Sequence, residues 1–249
     1  MEIWEYIILF LSVVIGGGLA FFVKNYNPAI LQMLLSFVGA YVLGITVLHL
    51  LPGVYHEPDH FIGLWILGGF FIQILLELLS GGVEHGHIHP THEPKTSFAI
   101  QILLGLCIHA FIEGMPLETY DAFQEDVFGH GHNHQHLLYG IILHKLPAAF
   151  VLVMLLTLSK FKKSFIILVL VFFGLMSPLG ALSTGILVSS GFLTPDNTKI
   201  LLAIVVGSFL HISTTILFET ESKGHHHISF KKIMMILIGL MLALFTAVF

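Results

Sequence analysis

Residues 98–117 read FAIQILLGLCIHAFIEGMPL, an apolar run that includes one histidine and one glutamate. An α-helix needs about 20 apolar residues to cross the hydrocarbon core of a bilayer. Similar runs occupy most of the remaining chain. We therefore predict an all-α integral membrane protein with eight transmembrane helices, which cover about 3–23, 30–51, 61–80, 98–117, 137–158, 165–190, 200–218 and 231–249.

The amino-acid composition also indicates a membrane protein. Of the 249 residues, 56% are hydrophobic and 10% are charged, whereas a soluble domain carries about 25% charged residues. So few charges cannot cover the surface of a globular protein of this length. The positive charges are all lysines, and nothing in their placement resembles a surface for nucleic acid. We expect one transmembrane domain over residues 1–249, with lipid as its solvent.

The distribution of lysines predicts the orientation of the chain in the membrane. Positive residues are enriched in the connections that face the cytoplasm. The odd-numbered connections between the eight runs hold eight lysines, and the even-numbered connections hold one, Lys199. We expect the odd-numbered connections to be cytoplasmic and both termini to lie outside. The N-terminal stretch MEIWEYIILF is acidic where a cleaved signal peptide would be basic, so no such peptide is expected.

Three ionisable side chains inside the apolar runs form the candidate site. His109 and Glu113 are four residues apart, so they lie on one face of the fourth helix, one turn from each other. His144 lies in the fifth run at a matching depth, roughly 10–12 Å below the outer surface at 1.5 Å per residue. Two imidazoles and a carboxylate suit Zn²⁺ and leave a position for an exchanging ligand. The spacing alone also fits a helix-stabilising His/Glu contact and a hydrogen-bonded packing histidine.

Histidine-rich connections strengthen the metal hypothesis. The connections at 81–97 and 118–136 carry alternating histidines, and the connection at 221–230 carries the run HHH, which by itself fits any polar loop. Short histidine-rich tracts bind metals weakly, so we expect capture or sensing of metal there and no structural site. The histidines of the two alternating tracts are His85, His87, His89, His92, His130, His132, His134 and His136.

Several short motifs accompany the apolar runs. LHLLPG ends the second run, GGFFIQILLELL lies in the third, HxxxEG begins at His109, HKLPAA begins at His144, and SPLGAL lies in the sixth. With eight runs and a histidine-rich third connection, the chain resembles the ZIP (zinc- and iron-regulated transporter-like) family of metal transporters along essentially its whole length. The resemblance implies a 3+2+3 arrangement of the helices, a homodimer, and a moving unit that includes the fourth and fifth helices.

The resemblance also implies roles for the fourth-run and fifth-run motifs, which line the metal site of the family midway along the path. His109, Glu113 and His144 match metal ligands. Many members have an acidic residue after the last of these and another ligand one turn later, and so hold a second metal. This chain has Lys145 and Ala148 there, and an ammonium group repels a second dication. We predict one central metal, with Lys145 in the second metal's place and paired with Glu113 when the site is empty.

Other polar residues are candidates for the transport path. His49 and His56 lie at the outer end of the second run and are expected near the entrance. Glu77 and Glu219 lie near cytoplasmic ends and are expected near the exit, while His211 is a candidate transient ligand in the seventh run. An interfacial histidine, solvated end residues and a packing histidine are the open alternatives for these positions.

The predicted function is transport of a divalent transition metal toward the cytoplasm, with zinc first and iron, manganese or cadmium as alternatives. The expected partners are the metal ion, the bilayer of a plasma or inner membrane, and a second copy of the chain, with no cofactor besides the transported Zn²⁺. No GxxxxGKS motif is present, so no ATP drive is expected. Transport of an ion involves no covalent chemistry, so we do not expect an enzyme. A membrane metallohydrolase, a cation exporter and a metal sensor are the alternative classes, although HExxH is absent.

Overall fold

The computed structural model describes residues 1–23, 27–56, 60–83, 96–120, 123, 135–218 and 230–248, without the side chains of residues 195, 196, 247 and 248. Within these ranges the regular structure is helical and no strand is present, which confirms the prediction of an all-α protein. The long helices are α1 (Ile3–Ala20), α2 (Pro28–Ile45, continued by Thr46–Leu50 and Leu51–Val54), α3 (Ile62–Ser80), α4 (Thr96–Gly114), α5 (His136–Leu158), α6 (Lys163–Ser189), α7 (Pro195–Phe218) and α8 (Phe230–Val248).

The helices follow the predicted apolar runs closely. In the described part of the chain, the seven helices α1 to α7 are long and apolar enough to cross a membrane. The largest difference is in α7, which begins at Pro195, ahead of the predicted start at residue 200. Proline fits the first turn of a helix, where its missing N–H needs no partner. α8 has 19 residues, and its last side chains lie outside the described part, so the count of eight spans stays a prediction.

The helices pack in two groups. α1, α4, α5 and α6 form the first group, in which α1 contacts α5 and α6, and α6 also contacts α4 and α5. α2, α3, α7 and α8 form the second group, in which α2 contacts α7 and α8, and α3 contacts α7. The groups meet along a seam, where α3 contacts α4 and α2 contacts α5. The candidate ligands are on α4 and α5, in the first group and beside this seam.

A glycine allows α1 to lie directly against the part of α5 that carries the candidate site. A Cβ atom at Gly16 would lie 2.3 Å from the carbonyl oxygen of Leu146, which is closer than any side chain tolerates. Leu146 follows Lys145. This backbone contact therefore fixes the position of α5 along α1 beside the candidate site.

The side of α3 that has no protein neighbour is largely apolar. On α3, the side chains of Leu64, Phe71, Leu75 and Leu78 are each more than 60% exposed. Soluble proteins rarely expose such a contiguous apolar face to water. This face is therefore suited to contact lipid.

Candidate metal site

Three potential metal ligands converge within the first helix group. His109 and Glu113 on α4 and His144 on α5 each offer one ligand atom, and these atoms lie within 4.8 Å of one another. All three side chains are buried, and Glu113 is completely shielded from solvent. Among the residues that the structure describes, this is the one group of three or more His, Cys, Asp or Glu side chains with such geometry.

One carboxylate oxygen of Glu113 lies between the two imidazoles. Oε1 is 2.7 Å from Nε2 of His109 and 2.6 Å from Nε2 of His144. On the far side of the His144 ring, Nδ1 lies 2.8 Å from the carbonyl oxygen of Gly140. A carbonyl oxygen can only accept, so Nδ1 carries the proton and Nε2 of the neutral ring turns a lone pair toward Glu113. A metal ligand requires this tautomer.

The donor set fits a divalent transition metal. Two imidazole nitrogens and one carboxylate oxygen are three of the four ligands of a tetrahedral site that keeps an open position. Nε2 of His144 and Oε1 of Glu113 are buried and do not form a hydrogen bond despite their short separation. Zn²⁺ bonds of about 2.0–2.1 Å place neighbouring ligand atoms roughly 3.3 Å apart. Binding would therefore lengthen the two distances from Oε1 of Glu113 to the imidazole nitrogens by roughly 0.6–0.7 Å.

Lys145 places a positive charge on the other edge of the Glu113 carboxylate. Its Nζ donates a 2.8 Å hydrogen bond to Oε2 of Glu113 and lies 5.2 Å from the centre of the Phe173 ring. Lys145 is 1% exposed. Burying the ammonium or the carboxylate alone costs far more free energy than burying the two as a pair. Glu113 thus uses Oε1 toward the imidazoles and Oε2 toward Lys145.

Close packing of α4 on α6 positions His109 and Glu113. A Cβ atom at Gly114 would lie 2.1 Å from the carbonyl oxygen of Ser177, so the two helices meet backbone to backbone there. The Ser177 hydroxyl also donates a 2.8 Å hydrogen bond to the carbonyl oxygen of Ala110. Ser177 begins the SPLGAL motif and Gly114 ends HxxxEG, so the two motifs are packing partners.

The second helix group contacts the site across the seam. Oγ of Ser208 on α7 lies 3.5 Å from Nδ1 of His109, and its hydroxyl donates a 3.0 Å hydrogen bond to Oε1 of Gln73 on α3. The Phe209 ring packs edge-on against His144, with 5.5 Å between the ring centres. Neither Ser208 nor Phe209 stands out in the sequence, because both residue types are common in membrane helices. The available signal is that Ser208 lies three residues before His211, on the same helical face.

A stacked pair of histidines lies at the end of α2 that is predicted to face outside. The ring centres of His49 and His136 are 3.9 Å apart and their planes are 17° from parallel. His49 lies in the π-helical segment Thr46–Leu50, and π-helical segments occur frequently at functional sites. His136 is the first residue of α5 and is buried, whereas the sequence predicts it at the end of a loop. His56 lies beyond the end of α2 and is exposed.

Glu77 and His211 also meet each other. Oε2 of Glu77 lies 2.5 Å from Nε2 of His211, and the Phe70 ring lies edge-on to His211 with 5.0 Å between the ring centres. The pair is one turn further along α3 and α7 than Gln73 and Ser208. A role of either residue in the transport path stays a prediction.

Several predicted positions lie outside the described residues. They are Glu219, the three histidines at 225–227, and all members of the alternating tracts except His136, namely His85, His87, His89, His92, His130, His132 and His134.

The fold and the site define a class of protein, a multi-pass membrane protein with a buried His/Glu cluster suited to a divalent cation. The sequence model of the ZIP zinc transporter family matches residues 82–247, more than half of the chain, and the chain belongs to this family. It is 29% identical to the zinc transporter ZIP9-B of Xenopus laevis over 185 residues, which are 70% of this chain and 59% of that protein. It is 30% identical to the zinc transporter ZIP9 of Micropogonias undulatus over 183 residues, 69% of this chain and 56% of that protein. The chain therefore covers less than two thirds of the length of these relatives.

Proposed function

We propose that this chain transports a divalent transition metal, with Zn²⁺ as the preferred substrate, across a membrane toward the cytoplasm. The observation that carries the proposal is the convergence of ligand atoms from His109, Glu113 and His144 inside an all-helical protein. Membership of the ZIP family supports it, and the matched relatives are named zinc transporters. Among the metals that such ligands accept, zinc binds more tightly than iron or manganese.

His109, Glu113 and His144 are the proposed ligands. Two neutral imidazoles and one carboxylate replace part of the ion's hydration shell, and the remaining position stays available for water or for the next ligand on the path. The ligands are buried, so the ion reaches and leaves them only when the site opens to each side in turn. No bond in a substrate is formed or broken, and the chain acts as a transporter without enzymatic chemistry.

The central site is proposed to hold one metal at a time. The Lys145 ammonium lies 2.8 Å from Oε2 of Glu113, where a second cation would otherwise share the carboxylate. A dication about 4 Å from this ammonium would meet a repulsion of about 8 kcal/mol at an effective dielectric constant of 20. A second metal at this carboxylate is therefore strongly disfavoured.

The wider architecture follows the family resemblance. The proposal includes eight spans with α8 as the last, a 3+2+3 arrangement, both termini outside, a homodimer, and a moving unit that contains α4 and α5. Lys160 and Lys162 between α5 and α6, with Lys163 at the start of α6, support this orientation, because positive residues are enriched on the cytoplasmic side. In this orientation His49 and His136 lie toward the entrance, and Glu77 and His211 lie toward the exit.

Metal flux into sealed vesicles tests the proposal. Purified protein is reconstituted into liposomes, and uptake of Zn²⁺, Fe²⁺, Mn²⁺ and Cd²⁺ is compared between the wild type and His144→Ala. The matched control is His60→Ala, the same change at an exposed histidine between α2 and α3. We expect the wild type and the control to take up zinc, and His144→Ala to lose most of this uptake. Intact metal binding without any flux would instead make the chain a sensor, and turnover of peptides or lipids would make it a hydrolase.

A further inference from the structure

We propose that Ser208 and Gln73 are positioning residues for the metal site, because they determine which ring nitrogen of His109 carries the proton. This inference rests on the proposed role of His109 as a metal ligand. Ser208 and Gln73 belong to α7 and α3, in the helix group across the seam from α4. Their effect on the metal is indirect and passes through the orientation and tautomer of the His109 ring.

The two imidazoles of the site are held in different ways. Nδ1 of His144 faces the carbonyl oxygen of Gly140 in its own helix at 2.8 Å. Since that oxygen accepts and never donates, the neutral His144 ring keeps Nε2 unprotonated whatever happens elsewhere. The neutral His144 ring is therefore held in the tautomer that binds a metal.

His109 instead faces groups that both donate and accept. Nδ1 of His109 lies 3.5 Å from Oγ of Ser208, whose hydroxyl donates to Oε1 of Gln73 at 3.0 Å. When the Ser208 proton is directed to Gln73, the Ser208 oxygen can only accept the Nδ1–H of His109. The His109 ring then presents an Nε2 lone pair beside Oε1 of Glu113, ready for a metal.

The hydrogen bonds that link His109, Ser208 and Gln73 can also run in the opposite direction. Rotation of the Gln73 amide presents its NH₂ group to Ser208, and the Ser208 hydroxyl then donates to Nδ1 of His109. The neutral ring now carries its one proton on Nε2, which lies 2.7 Å from Oε1 of Glu113 and so places a proton where the metal would bind. From that state a metal could bind only after the ring had changed tautomer, with its proton on Nδ1 and its charge unchanged. The observed direction, in which Ser208 donates to Gln73, therefore favours binding.

Burial makes this hydrogen-bond chain effective. Gln73 is 1% exposed and Ser208 is 4% exposed, so bulk water does not compete for either side chain. Hydrogen bonds in such an environment are stronger, and an unsatisfied polar group is more costly, than at the surface. These hydrogen bonds also cross the seam between the two helix groups. The metal-ready tautomer of His109 therefore depends on how the two groups pack.

Calorimetric titration of Zn²⁺ measures the effect on the central site. The measurement uses the full chain with the histidines of the loops replaced by alanine, so that only central binding is recorded. Outer groups that orient a ligating histidine typically change metal affinity by about 10–100-fold. We expect losses of this size for Ser208→Ala and Gln73→Leu, and recovery in Ser208→Thr. Gln73→Glu should retain the affinity, because a carboxylate only accepts and so enforces the metal-ready direction.

Ser213→Ala is the matched control for Ser208→Ala. Ser213 is buried on the same helix and donates a 2.6 Å hydrogen bond to the carbonyl oxygen of Phe209 within that helix. The substitution removes the same hydroxyl group without touching His109, so the zinc affinity should stay at the wild-type value. If Ser208→Ala does not fold, the zinc affinities of Gln73→Leu and Gln73→Glu still test the positioning role. Only the glutamate variant can accept a hydrogen bond from Ser208.

Nitrogen NMR of the His109 ring supplies a readout that a purely structural role would not change. Protein labelled with ¹⁵N in its histidines is compared with His109→Ala to assign the two ring signals. We expect Nδ1 to carry the proton in the wild type both without and with Zn²⁺, because the Ser208 hydroxyl donates to Gln73. Gln73→Leu removes this acceptor and should move the proton to Nε2 in the metal-free protein.

Two negative outcomes distinguish this inference from the proposed function. If Ser208→Ala and Gln73→Leu bind zinc as the wild type does while His109→Ala loses binding, the positioning role is refuted and the metal site stands. If His109→Ala also binds zinc normally, the proposed site itself is refuted.

Discussion

Nζ of Lys145 donates a 2.8 Å hydrogen bond to Oε2 of Glu113, so this carboxylate has an ammonium on one edge and two imidazoles on the other. Lys145 and Glu113 lie on different helices of the first group. The positive charge stabilises the buried carboxylate of the metal-free protein, and it occupies the edge at which a second cation would bind. We therefore expect Lys145 to affect both the stability of the protein and the number of metals bound at its centre.

Replacing Lys145 with an acidic residue should change the number of metals bound. In Lys145→Glu the repulsive ammonium is gone and two carboxylates face each other, which is the donor chemistry of a two-metal site. We expect zinc titration of the protein with its loop histidines removed to give one central site in the wild type and two in Lys145→Glu.

Lys145→Met is the control for that change, because it removes the charge without adding a ligand. It should bind one zinc, and more tightly than the wild type, since Oε2 of Glu113 no longer pairs with an ammonium. Two tight central sites in the wild type would show that Lys145 does not exclude a second metal.

The ion pair should also appear as coupling in a double-mutant cycle. Breaking a buried pair by removing one partner costs about 3–5 kcal/mol, whereas replacing both partners with neutral groups costs far less. We expect Glu113→Gln and Lys145→Met each to lower the free energy of unfolding of the metal-free protein in detergent, and the double variant to lose less than either. Strictly additive losses would mean that the two charges do not stabilise each other.

The contact between α4 and α6 should tolerate no added methyl group. The Cβ atom of alanine at position 114 would lie 2.1 Å from the carbonyl oxygen of Ser177, while no heavy atom lies within 4 Å of a Cβ atom at Gly18. Overpacking of this kind costs typically about 1–3 kcal/mol. We expect Gly114→Ala to lower both the thermal midpoint and the zinc affinity, and Gly18→Ala to leave both unchanged. Equal effects of the two substitutions would show that the close contact does not position Glu113.

The helices and the three clustered side chains could be anticipated from the sequence for simple physical reasons. Lipid requires long apolar runs, so the runs mark the helices. The rise per residue gives His109 and His144 similar depths, and the four-residue spacing puts Glu113 on the face of His109. The pairing of Lys145 with Glu113 is also present in the structure as expected for the metal-free state.

Contacts across the seam could not be anticipated in the same way. Ser208 and Phe209 reach the site only because α7 lies beside α4 and α5, and apolar periodicity does not specify which helices are neighbours. The pairing of Glu77 with His211 has the same origin. His136 was assigned to a loop because the polar tract continues up to it, yet α5 begins at this residue and stacks its ring on His49.

The stacked pair of His49 and His136 should affect metal entry and leave central binding intact. The His136 ring lies two helical turns before His144 on α5, too far to share a metal with it. We expect His136→Ala and His49→Ala to slow zinc uptake at low zinc concentration, with an unchanged number of central sites by titration. His60→Ala, the same substitution at an exposed position, should leave the rate unchanged. Uptake at the wild-type rate in both variants of the pair would remove it from the path.

Zinc uptake by vesicles that contain the His109→Ala/Glu113→Ala double variant tests the central claim most directly. The variant removes two of the three proposed ligands, and circular dichroism of the reconstituted protein checks that the helices remain. We predict that uptake falls to the level of vesicles without protein, while His60→Ala takes up zinc as the wild type does. Uptake that persists unchanged in the folded double variant would contradict the assignment of the transport site.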